Sequence, residues 1–230
     1  MTDKKKIVLI YSVVALICVL ILGMSLLLAG LKKEKRRDGP AATEVGKEMV
    51  DEMTVLKADM DLERQDGSKV KISDMNDRVW LAVQFYAACP MCAERNARHL
   101  LEIYKEFKDD EKFMVACFSV DPEDDTAEKL ADVRDRLGAD SRNWWFLKAD
   151  RQKLWDFMTE EMYFTTIKER FEPADIAAHG RWAHDLGIQV YRGDTLVHKW
   201  HEGLPIDQLR SEIEEALFEL KYPKTEDAQP

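Results

Sequence analysis

The sequence predicts a mixed α/β sheet flanked by helices, behind an N-terminal membrane-spanning helix. Three observations carry this. Residues 7–31 hold no charged side chain. Two nearly continuous apolar runs, 79–86 (VWLAVQFY) and 113–120 (FMVACFSV), alternate with stretches of helical periodicity. A late pair of apolar runs brackets Arg192-Gly193-Asp194-Thr195. Buried strands alternating with helices imply parallel pairing through right-handed crossovers, and hairpins add antiparallel strands.

The apolar segment comes first. As a helix rising about 1.5 Å per residue, residues 7–31 cross a hydrocarbon core of roughly 30 Å. A secretory signal has a shorter apolar core and a small-x-small cleavage site. Here Leu27 stands two before Ala29, which predicts an uncleaved anchor. Cys18 lies inside the run after Ile17 and reads as a membrane-helix residue. Residues 1–38 carry eight basic and three acidic side chains, so residues 39–230 carry −15 of the chain's net −10. Lys32, Lys33, Lys35, Arg36 and Arg37 outnumber Lys4, Lys5 and Lys6, and charge alone favours a cytoplasmic body. No Arg-rich presequence precedes residue 7, which points to a bacterial plasma membrane. The expected division is an anchor with basic flanks over 1–38, a linker over 39–53, a folded body over 54–221 and a solvated tail over 222–230.

Within the body, Met60 and Leu62 face Val70 and Ile72 across Asp66-Gly67-Ser68, a hairpin signal. Residues 79–86 read as a buried strand. Residues 93–107 place Leu100, Leu101, Ile103, Tyr104 and Phe107 at helical spacing. A second buried strand follows at 113–120. A helix is predicted over 126–137 (Leu130, Val133, Leu137), a short strand over 144–147 and a short helix over 152–158. The second hairpin joins 188–191 to 196–200. An amphipathic helix over 206–220 closes the body. The weak periodicity of residues 160–183 predicts a mobile surface insertion near the site. This order fits a thioredoxin-like fold.

Composition excludes some functions. The 44 acidic against 34 basic residues argue against nucleic-acid binding. Four cysteines are too few for a disulfide scaffold.

Cys89-Pro90-Met91-Cys92 carries the chemistry. It follows a buried strand and precedes a helix, at the carboxyl end of the sheet where such folds place their sites. Cysteines three apart can close a disulfide or share a metal, and a helix N-terminus favours the thiolate. His184 precedes the late hairpin, at a junction that in a thioredoxin-like fold lies beside the cysteine loop. Two thiolates and an imidazole make a set suited to copper. His179 is a candidate supplementary ligand. His99 sits two helical turns from Cys92, about 10 Å away and too far to share a metal. His198 and His201 are expected to be exposed, and Cys117 to be a packing residue. Trp144, Trp145 and Trp155 read as core. The run Asp121-Pro122-Glu123-Asp124-Asp125-Thr126 reads as a helix cap around Asp125, with Asp121 able to approach the cysteine loop.

These segments resemble the SCO/SenC family (synthesis of cytochrome c oxidase), membrane-anchored thioredoxin-fold copper proteins. The resemblance rests on residues 79–85 leading into Cys89-Pro90, on Phe118-Ser119-Val120-Asp121-Pro122-Glu123-Asp124-Asp125-Thr126, on Trp145-Phe146-Leu147 and on the His184 hairpin. It covers about residues 56–218. It implies Cu(I)/Cu(II) held by Cys89, Cys92 and His184. It also implies copper delivery to, or thiol reduction at, the copper-centre subunit of a respiratory oxidase or another copper or thiol partner. Finally, it implies an N-in anchor with the body outside the cytoplasm, against the charge count. One departure stands out: the family usually has three residues between its cysteines and a Pro after the second. Here there are two, followed by Ala93. Two is the spacing of thiol–disulfide oxidoreductases, in which Cys89 would attack and Cys92 resolve. Against that, residues 180–187 (GRWAHDLG) lack the proline that such reductases place beside their cysteines. Copper-binding assembly factor and anchored oxidoreductase are the two leading readings. A redox sensor using the same cysteine pair is the third.

Overall fold

A computed structural model describes residues 54–89, 97–200 and 206–223. The chain divides into units 1–51 and 52–230, and every described residue belongs to the second. The predicted anchor, Cys92 and His201 lie outside the described residues. Among the described residues no helix is long and apolar enough to cross a membrane.

The strands are β1 (Thr54–Val55), β2 (Asp61–Arg64), β3 (Lys69–Lys71), β4 (Val79–Phe85), β5 (Phe113–Ser119), β6 (Trp144–Lys148), β7 (Lys168–Glu169), β8 (Trp182–Ala183), β9 (Ile188–Arg192) and β10 (Thr195–Trp200). The helices are α1 (Ala97–Phe107), α2 (Ala127–Leu137), α3 (Arg151–Glu160), α4 (Pro173–His179) and α5 (Ile206–Lys221). Among the described residues, eight strands form one sheet in the order β1-β10-β9-β4-β5-β6-β2-β3, and β7 pairs with β8 separately. β4, β5 and β6 are parallel, and β9 and β10 extend β4 antiparallel.

The central strands are predominantly apolar, with Gln84 the buried amide of β4, because both faces are covered. Alternate residues of β4 and β5 divide between two cores. Trp80, Ala82, Met114, Ala116 and Phe118 face α3 through Leu154, Phe157 and Met158. Val79, Leu81, Val83, Phe113, Val115 and Cys117 face α1, α2 and α5 through Leu100, Ile103, Leu130, Leu209 and Ile213. This places the carboxyl end of β4, and the loop after it, at the edge of two packed layers.

Local chemistry sets the boundaries. Thr126, the last residue of the run expected to cap this helix, caps α2, accepting from the Lys129 amide at 3.3 Å. Gly138 closes α2 at φ 63°, a left-handed conformation that costs glycine little. Asp150 caps α3 through the Lys153 amide at 3.2 Å.

Residues 160–183 differ from expectation. They are folded, with Met162, Phe164, Ile167 and Trp182 buried against the α3 face. Their apolar residues follow an irregular path of turns and short strands, so neither helical nor strand spacing reveals them. The Arg170 guanidinium fastens this excursion, donating to the carbonyls of His179, Gly180 and Trp182 at 3.3, 3.1 and 2.6 Å.

Candidate functional site at the β4 and β8–β9 junctions

Cys89 lies four residues beyond the end of β4 and is 4% exposed. His184 lies between β8 and β9. Antiparallel pairing of β9 with β4 returns the chain to the sheet end from which the cysteine loop departs. Cys89 Sγ and His184 Nε2 are 3.8 Å apart. Cys89 is disulfide-bonded in this structure.

The imidazole is oriented from both sides. Nδ1 lies 2.8 Å from the Asp185 carbonyl oxygen, which can only accept, so Nδ1 carries the proton. Nε2 then holds its lone pair toward Cys89. The Tyr86 ring packs edge-on against the imidazole, with centroids 5.6 Å apart. Burial lowers the His184 pKa, outweighing the hydrogen bond to Asp185, so the ring is neutral near neutral pH.

Asp185 anchors the histidine segment. Its carboxylate accepts from the Gly187 amide at 2.8 Å and the Thr165 amide at 3.3 Å, and faces Lys199 at 3.8 Å. Gly187 is required there, because a Cβ would collide with the Trp200 carbonyl oxygen. The Asp185 amide donates to Gln84 Oε1 at 2.7 Å.

Asp125 anchors the cysteine loop. It is 2% exposed. Oδ1 accepts from the Ala87 amide at 2.9 Å, and Oδ2 accepts from the Ser119 hydroxyl at 2.5 Å. Burial raises its carboxyl pKa to about 6 despite both hydrogen bonds. Asp121, also able to approach this loop, pairs with Arg151 at 3.0 Å.

Of the predicted site residues, Cys89 and His184 come together, while Cys92 lies outside the described residues. His179 is exposed at the end of α4, 3.8 Å from Asp175. His99 is exposed on α1. His198, expected at the surface, is half-buried and stacks on Trp200 at 3.9 Å. Cys117 is buried and free, donated to by Trp144 Nε1 at 3.2 Å, and burial pushes its thiol up to about 12. Among the described residues no three His, Cys, Asp or Glu side chains form a metal-sized cluster. Sequence reasoning missed Gln84, Asp185 and Arg170. Gln84 had a legible signal, as the one amide in an otherwise apolar strand.

The SCO1/SenC family model matches residues 49–178, more than half of the 230-residue chain. The chain belongs to the SCO1/SenC family. A SCO1 protein homolog of Bacillus subtilis is 24% identical over 176 residues, covering 74% of this chain and 88% of that protein. Among solved structures, BsSco is described as having a disulfide switch and as a member of the Sco family of cytochrome c oxidase assembly proteins. It superposes with a TM-score of 0.60 at 19% identity, covering 71% of this chain and 94% of its own. Arabidopsis thaliana ScoI, solved with copper bound, superposes at 0.57 with 14% identity, covering 71% and 99%. These structures share the mixed α/β, thioredoxin-like fold.

Proposed function

We propose that this SCO1/SenC protein binds copper through Cys89, Cys92 and His184 and serves oxidase assembly. The distance between Cys89 Sγ and His184 Nε2 carries the reading. Metal–sulfur and metal–nitrogen bonds of about 2.3 and 2.0 Å, opened to a trigonal angle, separate the two ligand atoms by roughly 3.7 Å. The observed 3.8 Å fits that span with little movement. Thiolates select Cu(I), and imidazole accepts either oxidation state. The neutral ring already aims Nε2 inward, so loading would displace no proton from it. The sulfur of Cys89 is different: a disulfide does not supply a thiolate ligand, so loading follows reduction. Reduction takes two electrons and two protons from a dithiol donor, which leaves as a disulfide.

Cys89 in a disulfide also supports the second reading, thiol–disulfide exchange. There Cys89 attacks as thiolate, Cys92 resolves the mixed disulfide, and His184 is dispensable. The copper reading is the stronger, because exchange needs no imidazole lone pair held toward Cys89. Its partner is the copper-centre subunit of a respiratory oxidase. The body, residues 54–221, stands outside the cytoplasm, carried by an anchor over residues 7–31 in a bacterial plasma membrane.

The test is Cu(I) stoichiometry and affinity of the reduced full-length chain in detergent, kept anaerobic, beside Cys89→Ala and His184→Ala. One tightly held copper per chain, lost in both variants, is expected. Binding indifferent to His184→Ala would overturn the copper site and leave thiol exchange.

A further inference from the structure

We propose that Gln84 is a positioning residue that sets the tautomer and aim of His184 by holding the Asp185 peptide. Gln84 is 2% exposed on β4, on the face shared by Trp80, Ala82 and Tyr86. The hydrophobic environment gives an amide no reason to be there unless it has a partner. Its partner is the Asp185 amide at 2.7 Å. A backbone N–H can only donate, so the facing atom is Oε1. Nε2 then points to the Met158 thioether at 3.8 Å, a weak acceptor. The carbonyl end is therefore the functional one.

The same residue, Asp185, presents its carbonyl to His184 Nδ1 at 2.8 Å. Gln84 thus fixes the residue whose carbonyl fixes the ring. Three positions of one chain segment meet the histidine segment in succession: Gln84 at the Asp185 amide, Tyr86 at the imidazole face and Cys89 at Nε2. The strand that delivers the sulfur also aligns the nitrogen, through a contact that touches neither. Metal-bound histidines depend on such outer hydrogen bonds for tautomer and orientation. The affinity consequence rests on the copper reading above; the tautomer consequence does not.

Full-length chain with ¹⁵N-histidine, in detergent micelles and free of metal, gives the His184 tautomer from long-range ¹H–¹⁵N spectra. Wild type is expected to show Nδ1 protonated and Nε2 bare. Gln84→Met keeps the length and loses the strong acceptor. It is expected to shift the ring nitrogens toward a mixture of tautomers and to weaken Cu(I) binding about tenfold, as loss of a hydrogen bond that orients a metal-binding histidine does. Gln84→Glu retains an acceptor and is expected to keep the wild-type tautomer. Unchanged ring signals in Gln84→Met, or equal changes in both variants, would overturn the proposal. Should Gln84→Met fail to fold, amide exchange at Asp185 in the unaltered protein decides: protection matching β9 supports the bond, and solvent-like exchange refutes it. A wild type that binds no Cu(I), with Gln84→Met still releasing the tautomer, would refute the copper site and leave this assignment standing.

Discussion

Asp125→Asn isolates the anchor of the cysteine loop and has a distinctive pH signature. Burial raises the Asp125 carboxyl from 3.8 to about 6, against the hydrogen bonds from Ser119 and Ala87 that pull it down. Between those values the folded protein keeps a proton that the unfolded chain has already released. Stability therefore falls as pH rises through this window, and is flat above it for this group. Roughly two pH units at about 1.4 kcal/mol each give about 3 kcal/mol, a large part of a domain's usual 5–15. Asparagine preserves the geometry: its oxygen can accept from the Ala87 amide, while its NH₂ meets the Ser119 oxygen. The measurement is urea unfolding of both proteins at half-unit steps from pH 4 to 7. Subtracting the two curves cancels the groups they share. The variant is expected to gain on wild type by about 3 kcal/mol across the window. A difference independent of pH would refute burial as the dominant influence on this carboxyl.

Two further outcomes follow from packing. Cys117 is buried with its thiol pushed up to about 12, so the native, reduced protein alkylated at pH 8 should leave Cys117 unmodified by mass spectrometry, while denatured protein is labelled there. Gly187→Ala drives a Cβ into the Trp200 carbonyl, and thermal unfolding is expected to show a loss of about 1–3 kcal/mol; a neutral result would mean that β9 and β10 can separate there at no cost.

Much of the fold was legible because its signals are local. The two-sided burial of β4 and β5 wrote continuous apolar runs, and Thr126 and Gly138 bound α2 by caps that act within a turn. Residues 160–183 were not legible, because an irregular path held by Arg170 has no period to detect. His198 was misplaced for a similar reason: its burial depends on α5, which supplies Glu212 at 3.7 Å.

By itself the sequence determined which chemistry is available: a cysteine pair at the end of a buried strand, and a histidine entering a late hairpin. Only the tertiary structure decided how those groups meet. The antiparallel return of β9 along β4 brings Cys89 and His184 to 3.8 Å across 95 residues of chain. It also decided which acidic residue serves the loop. Asp121 and Asp125 sit four apart in one acidic run, yet Asp121 meets Arg151 and Asp125 meets the Ala87 amide. Local spacing carries no record of which way each carboxylate turns, because that is set by partners 30 and 38 residues distant.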